Sequence, residues 1–578
     1  MKKKNNYTRT DKAAYFFLLP AAVIYLSVIV APVCYSFFIS LFKWNGIGEK
    51  QFVGLSNYIN LFKGDKILHT AIINNLIWIV LTIFVTMTIA LLFAVILSKQ
   101  FRGRTFFRGF FYFPCVIAPI AVAIIWRWIY NPNIGFINEF FKALGINFTQ
   151  GWISDPNVSL YAVFAAALWQ AIGQPMILFL AGLQAISPDV LEAATIDGAN
   201  GIEQFFLIKV PLLKDTFVIV IATLIVAAMK VYDVVQGLTG GGPNNATQML
   251  STYMYSQVFQ YNNVGYGTAV ACIMVLMMMI VIIPYVSFTA KEDQRGGIIV
   301  EGKTKKITKK AVLYLVLIIL ALIWVVPMFT LVATAIKSKS DFYSGAGLFS
   351  MPAHVAWDNF VNAITKGRLF TYMKNDLIVS CLKVPLGIFI EALAAFALTR
   401  LEIRHKTGTF IFFLIGMMLP MQTALVPINV IYSKLGLLNS YFGLFYVYVG
   451  FGISFGILIL RGFFNGVPRE LDEAAYIDGC NKWQLFYKII FPVAKPAVAT
   501  LIITDFLSTW NEYLLASVII NDNMKKTVPV GIMTFVGEHG TDYGYLCAGV
   551  LISVIPVLIV YLIFQRHFVE GMAGAVKA

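Results

Sequence analysis

Twelve apolar stretches of roughly twenty residues leave this 578-residue chain few folds to choose from. Six lie near residues 14–40, 75–98, 109–130, 159–183, 213–235 and 266–289. Six more lie near 311–334, 376–399, 408–431, 441–464, 496–519 and 546–567. A hydrocarbon core about 30 Å thick is crossed by about 20 apolar residues of helix. The expected fold is therefore an all-α membrane protein with twelve transmembrane helices, arranged as two sets of six.

Composition agrees. The chain is 59% hydrophobic and 13% charged, with a mean hydropathy of +0.77. Soluble domains run nearer 45–50% apolar, with about 25% charged residues. A net charge of +15 would suggest nucleic acid in a soluble protein. Here the basic residues cluster between apolar runs, as orientation in a membrane requires. The lipid bilayer, and not nucleic acid, is the expected partner. The start "MKKKNNYTRTDK" resembles the basic region of a signal peptide. The long apolar run behind it shows no small-residue cleavage site, so it is read as a retained helix. Six scattered cysteines, at 34, 115, 272, 381, 480 and 547, form no C-x-x-C pair and read as small core residues.

Lysine and arginine set the expected orientation. Lys2, Lys3, Lys4, Arg9 and Lys12 precede the first run, and Arg102, Arg104 and Arg108 follow the second. The stretch "KEDQRGGIIVEGKTKKITKK" carries seven basic residues between runs six and seven, and Arg400, Arg404, Lys406 and Arg566 continue the pattern. By contrast, Gln236 to Gly265 holds no charged residue. Both termini and the central linker are therefore expected in the cytoplasm of a multi-pass protein of the cell membrane. The expected division is a first half over 1–290, a linker over 291–310 and a second half over 311–578.

A polar nonapeptide is spelled twice. "EAATIDGAN" begins at Glu192 and "EAAYIDGCN" begins at Glu473, 281 residues later. Extended without a gap, 192–214 and 473–495 agree at eleven of 23 positions, where chance would give roughly one or two. The chain is thus an internal duplication with six spans per repeat. Each copy falls between the fourth and fifth spans of its half, and an even span number puts both on one face of the membrane. Parallel repeats of this kind are related by an axis along the membrane normal. Ser187-Pro188 is a helix-start signal, and Asp189 and Glu192 suit the positive end of a helix dipole. Gly198 permits a sharp turn before a second short helix that leads to Pro211. Pro468, Glu470, Glu473, Gly479 and Pro492 repeat the plan. Ala193 and Ala194 are expected to offer a small, flat packing surface.

Each copy fits the pattern E-A-A, three residues, Gly, nine residues, then Ile-x-apolar-Pro. This resembles the coupling-loop signature of the membrane subunits of binding-protein-dependent ABC importers. The rest resembles their maltose-type sugar branch. In the first half the likeness rests on "FVGLSNYINLF" (52–62), "LTGGGPNNAT" (238–247) and "FQYNNVGYGTA" (259–269). In the second it rests on "WDNFVNAI" (357–364), "LGLLNSY" (435–441), "TWNEYL" (509–514) and "QRHFVEGMAGAVKA" (565–578). The likeness covers essentially the whole chain, as if two subunits had been fused head to tail. It implies a type I ABC importer fold and two cytoplasmic ABC ATPase subunits, each gripping one loop. ATP and magnesium would sit on those subunits, with no cofactor in this chain. An extracellular sugar-binding protein would deliver a sugar or oligosaccharide. The residues carried over to the ATPase contact are Glu192, Ala193, Ala194, Asp197, Gly198 and Pro211, with Glu473, Ala474, Ala475, Asp478, Gly479 and Pro492.

No catalytic constellation competes with this reading. "GIIVEGKT", Gly297 to Thr304, satisfies G-x-x-x-x-G-K-[ST] letter for letter. A working phosphate loop needs an α/β domain around it, and only about twenty residues separate the flanking spans. The stretch reads as a tether. The five histidines lie far apart, and no metal site or hydrolase elbow appears. The chain is thus expected to be a transport subunit and not an enzyme.

Polar groups inside spans line pathways or pair across helices. Candidates for solute contact are Trp169, Gln170 and Gln174 in span four, and Lys230, Tyr232 and Asp233 near the end of span five. Asp505, Trp510, Asn511 and Glu512 stand in the second half. Amides and carboxylates hydrogen-bond hydroxyls, and aromatic faces cover sugar rings. The alternative is a twelve-span secondary transporter driven by an ion gradient. Such a protein has no need of a duplicated loop between its fourth and fifth spans.

Overall fold

The computed structural model describes residues 12–146, 148–292, 310–343, 352, 354–535 and 542–576. The expected linker over 291–310 falls almost wholly outside them, and with it Gly297 to Thr304. Among the described residues, seven helices are long and apolar enough to cross a membrane without a break. They are Lys12–Ile39, Lys66–Ser98, Val264–Ile282, Leu317–Ala335, Leu369–Arg400, Tyr441–Gly466 and Tyr543–Phe564. The other five expected spans fall on bent helix pairs, and with each pair taken as one span the total is twelve.

Prolines explain the sharpest bends. Arg104–Val116 meets Pro119–Ile129 at 96°, and Lys406–Met418 meets Gln422–Leu435 at 93°. A proline disfavours helical backbone in the residue before it. Ala118 accordingly sits at φ −57°, ψ 135°, and Leu419, before Pro420, at φ −75°, ψ 126°. The runs expected over 213–235 and 496–519 are also divided. Lys214–Met229 stops before a separate short helix, Asp233–Leu238, and Lys495–Trp510 stops before Leu514–Ile519.

The halves interlock. Span one of the first half packs on the second: the Tyr25 hydroxyl donates to the Phe412 carbonyl at 2.8 Å, and Ser36 Oγ donates to the Thr423 carbonyl. Span one of the second half reciprocates, with Trp324 packed on Phe93 and Phe111. Outward-facing Phe84, Ile280, Leu322 and Ile563 are exposed, as suits side chains that meet lipid. A two-residue antiparallel ribbon pairs Phe42 with Phe52 and Lys43 with Gln51.

A second repeat, spaced 301 residues apart, holds each half together. Asn74 Nδ2 donates to the carbonyls of Ala246 and Gln248, each at 2.9 Å. Asn375 Nδ2 donates to Met524 and Lys526, each at 2.9 Å. The neighbouring side chains follow suit: Asn75 Oδ1 accepts from Leu250 N–H at 2.9 Å, and Asp376 Oδ2 from Val528 N–H at 3.1 Å. These clasps hold the starts of two further short helices, Leu250–Tyr255 and Val528–Met533.

Candidate functional site

The repeated loops share one backbone. Pro188–Ile196 is a helix whose N-cap Ser187 accepts from Asp189 N–H, and Glu470–Ile477 is its counterpart. Gly198 and Gly479 end these helices at φ +88° and +78°. This left-handed region favours glycine because a Cβ would crowd the backbone there. Asn200 and Asn481 then start the next helices with capping boxes closed by Glu203 and Gln484. A π-helical turn follows in each copy, Gln204–Lys209 and Leu485–Ile490, ahead of Pro211 and Pro492.

Surface exposure corrects one expectation. Ala194 and Ala475 are buried, so of the two alanine pairs only Ala193 and Ala474 are on the surface. Glu192, Asp197, Glu473 and Asp478 are exposed as well. The sequence reading missed Ile196 and Ile477, the apolar residues just before each aspartate. Each is 85% exposed, and recurrence at the same place in both copies was the available signal. Two equivalent apolar tips, flanked by carboxylates, thus stand at the same place in the two loops.

The second cluster of candidates lies where span five breaks. Lys214–Met229 and Lys495–Trp510 are each 16 residues long and are followed by Lys230 and Asn511, both at φ −94°, ψ 0°. Lys230 Nζ donates to the Met417 carbonyl at 2.7 Å, and the Lys230 carbonyl accepts from Gln422 Nε2 at 3.0 Å. Asn511 Nδ2 donates to the Val116 carbonyl at 3.0 Å. Gln170 Nε2 serves the adjoining Ile117 carbonyl at 2.6 Å. The structure thus brings Lys230, Asn511 and Gln170 to the two sharp bends of span three.

Tyr232, Asp233 and Glu512 gather beside them. Glu512 accepts from Leu515 N–H at 2.7 Å, Ala516 N–H at 2.9 Å and the Tyr448 hydroxyl at 2.8 Å. Asp233 lies within electrostatic reach of Glu512, and the Tyr232 ring stands 5.3 Å from that of Tyr255. The remaining candidates are engaged elsewhere. Trp169 Nε1 donates to the Trp324 carbonyl at 3.1 Å, and Trp510 Nε1 donates to the Ser553 carbonyl at 3.2 Å. Asp505 forms a buried ion pair with Lys383 at 2.5 Å. Gln174 is exposed.

Comparison with known proteins accounts for the duplication. Residues 86–295 and 383–574 each match the family described as binding-protein-dependent transport system inner membrane component. The probable ABC transporter permease protein YurM of Bacillus subtilis is 37% identical over 266 residues, which is 46% of this chain and 86% of YurM. The probable starch degradation products transport system permease protein AmyC of Thermoanaerobacterium thermosulfurigenes is 31% identical, over 45% of this chain and 94% of AmyC. The diacetylchitobiose uptake system permease protein NgcG of Streptomyces coelicolor is 32% identical, over 46% of this chain and 87% of NgcG. Each relative is thus about the size of one half, and the two family matches set aside the ion-gradient-driven alternative. The chain belongs to the family of binding-protein-dependent transport system inner membrane components and carries that component twice in one polypeptide.

Proposed function

We propose that this chain is the complete membrane core of an ATP-driven importer for a sugar or oligosaccharide in the cell membrane. The observation that carries the reading is the pair of loops with one backbone, each presenting an isoleucine that is 85% exposed. Glu192, Ala193, Asp197 and Gly198 of one loop dock one cytoplasmic ATPase; Glu473, Ala474, Asp478 and Gly479 of the other dock a second. Pro211 and Pro492 turn each loop back toward the membrane. ATP and magnesium bind to those ATPases, and the loop face, with both termini, is cytoplasmic. Closure of the ATPases on ATP levers the halves apart on the opposite face, where a sugar-binding protein delivers its load. The solute passes the breaks of span five, where Lys230, Tyr232, Asp233, Asn511 and Glu512 supply hydrogen-bonding groups and aromatic faces. The names of AmyC and NgcG support the sugar class.

The test is uptake into proteoliposomes that hold the chain with its ATPase, with maltotriose and diacetylchitobiose as probes presented by a binding protein. Accumulation that requires internal ATP is expected. Accumulation driven by an ion gradient without ATP would overturn the reading.

A further inference from the structure

We propose that Lys230 and Asn511 form a reciprocal latch that shuts the pathway on the face away from the loops, and that the same donors pass to solute oxygens when the latch opens. This proposal rests on the importer reading and assigns these two residues a shared role within it.

The geometry has a two-fold character. Lys230 and Asn511 stand 281 residues apart, at the same step in each half and with the same backbone angles. Their acceptors, Val116 and Met417, stand 301 residues apart, and each precedes a bend proline by three residues. Each donor crosses to the opposite half: Lys230 to Met417 and Asn511 to Val116. A helix leaves its last four carbonyls without intrahelical partners, and the bends create such ends within the span. Proline bends thus manufacture two acceptors, and the break of span five supplies a donor to each.

Location decides which face is shut. A 16-residue helix is about 24 Å long, and both span-five helices start at the loops. The two bonds therefore lie near the far side of the membrane. They must break if the halves are to part there.

Once broken, they leave an ammonium, an amide and two carbonyls, and none of these tolerates an apolar setting without a partner. A polyhydroxylated solute offers acceptors for the donors and hydroxyl protons for the carbonyls. The arms are unequal. Lys230 is held at both ends, because its own carbonyl takes Gln422, while the position matching Gln422 in the first half is Ala121, which cannot bond. The Asn511 arm is the weaker one and releases first.

Cys115 reports the opening without any ATPase. Its thiol is packed against Gly173 and donates to the Gln170 carbonyl at 2.7 Å, one residue from Val116. The experiment places the full chain in nanodiscs, treats it with a cationic methanethiosulfonate reagent, and measures Cys115 modification by mass spectrometry. Basal ATP hydrolysis of the chain with its ATPase is measured in parallel, without solute. K230M and N511L are each expected to raise Cys115 modification and basal hydrolysis by about tenfold, the factor one lost hydrogen bond is worth. The double variant should exceed either. K230Q keeps an N–H donor and should hold Cys115 modification within about twofold of the parent, which separates bonding from packing. If K230M fails to assemble, N511L and K230Q still decide. Cys115 modification unchanged in N511L would overturn the latch. If the parent chain couples to no ATPase, the importer reading falls, and the Cys115 result still judges the latch.

Discussion

The two halves share a backbone plan and differ in where they keep charge. In the second half Lys383 and Asp505 pair at 2.5 Å inside the bundle, with Glu391 buried beside them. Gly452 faces both Lys383 and Glu391, and Gly456 lies directly against the Glu391 carboxyl. The equivalent positions of the first half are Thr82, Leu224 and Ala90. The loops differ in the same sense. Asp472 ties the second loop to Arg400 at 3.1 Å and Arg469 at 3.6 Å, and Arg400 also donates to the Phe464 and Val467 carbonyls, each at 2.7 Å. The first loop has Leu191 and Lys99 in those places. One architecture is therefore built two ways, by apolar packing in one half and by buried charge in the other. The buried charges are not required by the fold, because the first half reaches the same shape without them.

The strongest test of that contrast removes one charge. Lys383→Met leaves Asp505 uncompensated and should cost about 3–5 kcal/mol, read as lost folded yield and a lower melting temperature in detergent. Installing the first-half set, K383T with E391A and D505L, should recover most of that loss, since apolar replacement of a whole buried pair is often neutral. A triple variant as unstable as Lys383→Met would show that the charges do work the first half does elsewhere.

The clasps should behave alike in both halves. Asn74→Ala and Asn375→Ala each orphan two carbonyls and should cost about 1–3 kcal/mol apiece, measured by thermal unfolding. A large difference between them would break the equivalence.

Gly456→Ala should cost about 1–2 kcal/mol, because the new methyl lands on the Glu391 carboxyl. Combining it with E391A should relieve the strain, as seen in the same melting curves.

The smallest effect concerns the start of span two. Asp65 caps Lys66–Leu81 by accepting from Ile67 N–H at 2.9 Å and Leu68 N–H at 3.0 Å, while the matching helix of the second half begins at Arg368 with no side-chain cap. Burial pushes the Asp65 carboxyl up, but bonds from Tyr253, Tyr266 and the two N–H groups outweigh it and hold it below the usual carboxylate range. A lowered value in the folded state means stability that is present above the ordinary carboxylate range and lost as pH falls through the folded value. Asp65→Ala should cost about 1 kcal/mol at neutral pH, with a gap from the parent that narrows in acid.

Much of this was legible in the sequence. Hydropathy located all twelve spans, since each run is long and apolar enough to announce itself. The nonapeptide announced the duplication because eleven of 23 identities need no structure to notice. The bends were less legible: averaging over a window hides Pro119 and Pro420, although proline itself was the clue. "NNLIW" and "NDLIV", 301 residues apart, were readable as a repeat and were missed because each sits inside an apolar run. The contacts at the seam lay beyond sequence reasoning altogether. Lys230 meets a carbonyl 187 residues away and Asn511 one 395 residues away, and a backbone acceptor leaves no signature in residue type. Candidates chosen for polarity alone therefore mixed seam residues with Asp505, whose partner is Lys383.

The proposed function requires that two unlike halves present two equivalent docking loops. Mass photometry of the purified complex tests it most directly. The parent chain should carry two ATPases, and the double variant Gly198→Asp with Gly479→Asp, which adds a side chain where φ is positive and charge at the docking surface, should lose them while remaining in the membrane. A parent complex with a single ATPase, or a double variant that keeps both, would contradict the account.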